Sequence, residues 1–92
     1  MSTLTDQEVV QIAKDVAAAN NVSIAEVLTA PTLDSTGASA IEVKLVLTPG
    51  SSASIMGERS ALTVSQLIRQ LADRGEQRFP IVRYEEKVAA GS

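Results

Sequence analysis

Chemistry in this chain has to come from serines and carboxylates, because it contains neither histidine nor cysteine. A serine or threonine nucleophile needs a base within hydrogen-bond reach, and imidazole is the usual one. The serines between residues 51 and 60 therefore read as polar filler in a small-residue loop. Two carboxylate pairs, Glu85 with Glu86 and Glu58 with Asp73, could do acid–base work. Adjacent strand residues point to opposite faces, however, and the second pair depends on the path of the loop before Glu58. The absent His and Cys also remove the usual ligands of zinc, copper, haem and iron–sulfur clusters, leaving carboxylates for hard cations. No segment has the dense Asp/Asn pattern of a calcium loop, so we expect a non-enzymatic protein without metal or cofactor.

Anion binding is the next possibility. Gly50-Ser51-Ser52 and Met56-Gly57-Glu58-Arg59-Ser60 place Gly and Ser ahead of a helix, whose N-terminal amides attract anions. No P-loop Lys-Ser/Thr pair and no GxGxxG follows a strand here, which argues against a nucleotide site. All five arginines lie between Arg59 and Arg83. Arg59, Arg69, Arg74 and Arg78 are the candidate anion contacts, although Asp73 beside Arg74 mixes the sign of the surface. Nucleic-acid recognition by a sheet also calls for exposed aromatics and a basic domain. The chain carries a net charge of −3, and Phe79 and Tyr84 are its only aromatics.

Apolar residues outside a core pattern point instead to protein contacts. Val82 and Tyr84 share one face of a strand, opposite Phe79 and Ile81. If the Phe79 side meets the helices, Val82 and Tyr84 form an exposed patch that Val46 joins. Ile55 and Met56 interrupt an otherwise polar loop, and an adaptable Met suits a contact surface.

The elements that position these residues are marked by two copies of one helix-start pattern. In Leu4-Thr5-Asp6-Gln7-Glu8-Val9, Thr5 caps the first turn, Glu8 completes a capping box and Leu4 staples to Val9. Leu62-Thr63-Val64-Ser65-Gln66-Leu67 repeats the pattern. The first helix runs to about Asn20, with Val9, Ile12, Ala13 and Val16 on one stripe, and Asn20-Asn21 stops it. The second runs from Val64 to about Arg74, with Val64, Leu67, Ile68 and Leu71 inward and Gly75 as its stop.

Residues from Ile24 to Leu33 read as a strand, at an edge because of Pro31, though Ser23-Ile24-Ala25-Glu26 is compatible with a short helix start. The segment 34–39 is a turn around Gly37. Ile41, Val43, Leu45 and Leu47 then alternate with Glu42, Lys44, Val46 and Thr48, the pattern of a strand with one buried face. A loop from Pro49 to Ala61 follows, long enough to suggest function. Phe79 to Tyr84 is a third strand, with Pro80 at its start or on an edge, and residues 85–92 form a flexible tail.

The expected class is α+β: one two-layer α-β-β-α-β domain over residues 1–84, with two helices on one face of a three-stranded sheet. This order resembles a ferredoxin-like βαββαβ unit lacking its first strand. Such a loss would leave a central vacancy, to be closed up, filled by a partner chain or removed by rearrangement; three adjacent strands with no vacancy fit the order equally.

Ninety-two residues supply a single core, with stability of about 5–10 kcal/mol. Six acids oppose only Lys14 and Lys44 in residues 1–46, whereas six bases oppose five acids thereafter. Asp6 and Glu8 follow Met1 without an apolar run, which fits neither a secretory signal nor a membrane span, so a soluble, cytoplasmic protein is expected, and without Cys the fold is not disulfide-stapled.

The run Gly75-Glu76-Gln77-Arg78-Phe79-Pro80-Ile81-Val82-Arg83-Tyr84 resembles the ending of small uncharacterised bacterial proteins, a resemblance that brings no activity with it. The functional expectation is a protein–protein interaction module, acting as a homodimer or as the small partner of a larger protein. The alternative is a nucleic-acid or anion binder using the arginines.

Overall fold

The computed structural model describes residues 4–50 and 57–87. The elements are α1 (Asp6–Ala19), β1 (Ile24–Leu33), β2 (Ser39–Leu47), α2 (Glu58–Asp73) and β3 (Phe79–Glu86). The order is the α-β-β-α-β expected from the sequence, and the class is α+β.

Helix α1 begins as its residues dictate. The Thr5 hydroxyl accepts from the Glu8 amide, and the Glu8 carboxylate accepts from the Thr5 amide at 2.9 Å, closing the capping box. It ends in a Schellman turn: Asn21 takes the left-handed conformation (φ 59°), and the amides of Asn21 and Val22 donate to the carbonyls of Ala18 and Ala17. Val22 then packs on Ala17, the apolar contact that usually accompanies this turn.

Helix α2 corrects the sequence reading. It starts at Glu58 rather than Val64, so the connection from β2 is shorter than the expected 49–61 loop. Its N-cap is Gly57, without a side-chain cap. Thr63 lies in the helix interior, fully buried, and its hydroxyl donates back to the Arg59 carbonyl at 2.8 Å. Leu62 is 46% exposed and staples nothing. A capping-box pattern also satisfies helical spacing, and the residues before it, Glu58 to Ala61, are themselves competent helix formers. The other end is as expected: Gly75 (φ 99°) and Glu76 donate to Ala72 and Leu71 in a second Schellman turn.

The sheet order is β1-β2-β3. β1 and β2 form an antiparallel hairpin across the 34–38 turn, where the Asp34 carboxylate accepts from the amides of Thr36 and Ala38. β2 and β3 are parallel and directly paired from Ala40↔Phe79 to Leu47↔Glu86. The vacancy suggested by the ferredoxin-like analogy is therefore closed, and no strand from a partner is needed to complete the sheet. β3 also continues through Glu85 and Glu86, which the sequence reading had assigned to a tail. Both prolines in strands lie on edges, Pro31 in β1 and Pro80 in β3.

Both helices cover one face. Val9, Ile12, Ala13 and Val16 of α1 and Leu67 and Leu71 of α2 pack on Val27, Ile41, Val43 and Leu45. The helices run antiparallel: Leu4, at the start of α1, bonds to Glu76 beyond the end of α2, while Asn20 bonds to Gln66. β2, central in the sheet, supplies most of the buried strand residues. Only Val27 is buried in β1, whereas Ile41, Val43 and Leu45 of β2 are all in the core.

Candidate functional site

Alternation along the strands fixes what each sheet face offers. The pairing rows on the helix side are Pro31–Ile41–Pro80, Thr29–Val43–Val82 and Val27–Leu45–Tyr84. Those on the reverse are Thr32–Ala40–Phe79, Ala30–Glu42–Ile81, Leu28–Lys44–Arg83 and Glu26–Val46–Glu85.

This corrects the expected apolar patch. Val82 and Tyr84 face the helices and are half-buried against the core. The Tyr84 hydroxyl donates to the Ser60 carbonyl at 2.9 Å, fastening β3 to the first turn of α2. Burial pushes its phenol pKa up, and the nearby Thr63 hydroxyl opposes that shift. Val46 does face the reverse side, but only 4% of it is exposed because strands flank it on both sides. Ile55 and Met56 lie outside the described residues, as do Ser51, Ser52 and Ser54. The large residues that are both apolar and exposed on the reverse face are Leu28 (45%) on β1 and Phe79 (57%) on β3, with the Ala30–Glu42–Ile81 row between them. The sequence held this pair of faces but not their assignment. Either side of β3 could have met the helices, and the register with β2 decides it.

The charges on the reverse face are arranged in pairs. Lys44 meets Glu85 at 3.3 Å and Arg83 meets Glu42 at 3.0 Å, each across the β2–β3 boundary. With Glu26 outside these two pairs the face carries three acids and two bases, with an apolar end around Phe79 and a charged end around Lys44.

The four candidate arginines do not converge. Arg59, Arg69 and Arg74 are exposed on and just beyond α2, but Arg59 and Arg69 are separated by about 15 Å of helix rise. Arg78 is committed within the chain. Its Nε and Nη2 donate to the two Glu76 carboxylate oxygens at 2.9 and 3.0 Å, and Nη2 also reaches the Leu4 carbonyl at 3.3 Å. Glu76 in turn accepts from the Leu4 and Arg78 amides, so its buried carboxylate is fully satisfied. The Arg78 guanidinium holds the Glu76 carboxyl below the usual carboxylate range, although burial pushes the other way.

Sequence reasoning missed Glu76. The signal was an acid immediately after the Gly75 helix stop, two residues before an arginine. That arrangement sets a charged pair where the chain turns back toward the core.

Neither carboxylate pair forms. Glu58 and Asp73 are the first and last residues of α2, about 22 Å apart along the axis, and Glu85 is engaged by Lys44. Among the described residues no group of three acids is placed to hold a metal ion, and no helix is long and apolar enough to cross a membrane. Comparison with protein-family models, curated proteins and solved structures finds no match. The geometry of the sheet's uncovered face thus carries the functional reading.

Proposed function

We propose that this chain is a non-enzymatic protein-binding module that works through the reverse face of its sheet, as a homodimer or as the small partner of a larger protein. The observation that carries this reading is exposed Phe79, beside half-buried Ile81 on a face that neither helix covers, with Leu28 exposed on the opposite edge strand of the same face. A contiguous exposed apolar patch is the usual mark of a contact surface, and Phe79 and Ile81, two residues apart on β3, form the apolar end of this face. The internal pairing of Lys44 with Glu85 and of Arg83 with Glu42 favours a neutral partner surface over a polyanion. The lack of cysteine supports a cytoplasmic setting.

The test is light scattering over a concentration and salt series, comparing the wild-type chain with Leu28→Ser/Phe79→Ser. The expected result is a salt-tolerant dimer that the double substitution dissociates without unfolding. A dimer unaffected by the substitution overturns the assignment of this face. A wild-type chain that is monomeric at every concentration overturns self-association and leaves the larger partner.

A further inference from the structure

The free edge of β1 is a second surface, and its two halves differ. The Asp34 amide donates to the Ala38 carbonyl at 2.9 Å, which makes that pair a hydrogen-bonded one. Alternation then turns the backbone groups of Thr32, Ala30 and Leu28 toward β2, and those of Leu33, Pro31, Thr29 and Val27 toward the open edge. Pro31 has no N–H to offer there, so the outward ladder is broken in its far half. Val27 and Thr29 keep both donor and acceptor on the outer side.

At the start of β1, ahead of this intact half, lies an open cavity of about 360 Å³, lined by Lys14, Ala17 and Ala18 of α1, Val22 of the connection, and Ile24 and Ala25 of β1. The register shifts between Ile24 and Glu26, which leaves Ala25 as an unpaired bulge residue. Bulges bend a strand, and this one occurs where β1 borders the cavity. A second cavity is lined by Leu62, Ser65, Gln66 and Arg69, all of α2. Lys14 is exposed and forms no salt bridge among the described residues, whereas neighbouring Asp15 already accepts from Gln11 at 2.9 Å. The lining is thus small and aliphatic with a single cation.

We propose that the Val27–Thr29 edge and this cavity form a strand-addition site for an extended peptide segment of another protein, one that places an aliphatic side chain in the cavity and a carboxylate at Lys14. Main-chain hydrogen bonds to Val27 and Thr29 supply affinity, while the cavity and Lys14 select the sequence. Pro31 limits how far the added segment pairs. The site rests on reading the chain as a protein-binding module, but it uses a surface distinct from Leu28 and Phe79.

The experiment is selection of random octapeptides, displayed on phage, against the full chain, followed by titration of the selected peptide into isotope-labelled protein. The expected peptides share an acidic and an aliphatic residue and shift the amide signals of Val27, Thr29, Ala18 and Ala25. Lys14→Glu should weaken them about tenfold, and Phe79→Ser should leave them unchanged. Thr29→Pro should abolish binding, because it removes only an outward donor. Should that variant not fold, peptides N-methylated at alternate residues replace it: one alternation should bind and the other should not. Peptides that instead shift Phe79 and Ile81 and ignore Lys14→Glu overturn the site while leaving the module reading intact. Failure to select any peptide also overturns the site.

Discussion

The backbone amide of Leu4 donates to Oε1 of Glu76, 3.1 Å away and 72 residues further along the chain. That bond joins the entry to α1 to the exit from α2, and Arg78 braces it from the other side of the same carboxylate. A buried acid with four donors is the most concentrated polar arrangement among the described residues.

Glu76→Gln keeps the shape but removes the charge, leaving Arg78 without its counter-ion. Charge-assisted hydrogen bonds of this kind contribute roughly 1.5–3 kcal/mol each, so we expect a loss of about 2 kcal/mol in urea unfolding. The pH dependence has a definite sign. A carboxyl whose folded pKa is depressed adds stability that is complete above its unfolded value, about 4.3 for Glu. That stability is lost as pH falls through the folded value. The gap between wild type and Glu76→Gln should therefore narrow as pH falls below the unfolded carboxyl value, and a gap unchanged by acidification up to acid unfolding would contradict the Glu76–Arg78 account.

Tyr84 holds β3 against α2, so it is a stability residue. Tyr84→Phe, which removes the bond to Ser60, should cost about 1 kcal/mol. Tyr84→Ser also empties part of the core and should cost about 3 kcal/mol. Chemical denaturation checks both values, and a Tyr84→Ser chain as stable as wild type would place the ring in solvent.

The two occurrences of the helix-start pattern should respond differently. Thr5→Ala removes a working cap and should cost about 1 kcal/mol, with Thr5→Ser nearly neutral. Thr63→Val keeps a β-branched side chain in a buried interior position, so α2 should still begin at Glu58. Helical carbon chemical shifts at Arg59 and Ser60 in the Thr63→Val chain decide the point.

Gly75 adopts φ 99° at the end of α2, a conformation that a side chain strains. Gly75→Ala should cost about 1 kcal/mol. It should also disturb Glu76, the next residue, so its effect and that of Glu76→Gln should be less than additive in a double-mutant cycle.

The local punctuation of this fold was legible residue by residue. Thr5 and Glu8 cap α1, Asn21 and Gly75 close the helices, Gly37 turns the hairpin, and Pro31 and Pro80 mark edges. Each of these depends on the backbone conformation or missing donor of one residue, which neighbours in sequence are enough to reveal. The start of α2 was not legible, because Leu62 to Leu67 satisfies a capping box and a helix interior equally well. Only packing, with Thr63 buried beneath Tyr84 and Leu62 left outside, separates the two.

The candidate site shows the same division. Alternation in the sequence determined that Phe79 and Ile81 oppose Val82 and Tyr84, since side chains along a strand repeat every two residues. It could not say which pair meets the helices, because a strand with apolar residues on both sides can be laid down either way up. The parallel register of β3 with β2 decided that, and so left Phe79 in solvent and drew Tyr84 inward. The meeting of Glu76 with Leu4 was likewise a tertiary outcome. Residues 72 positions apart meet only after two antiparallel helices have packed on one sheet face, and that arrangement follows from burying the whole aliphatic set at once rather than from any local pattern.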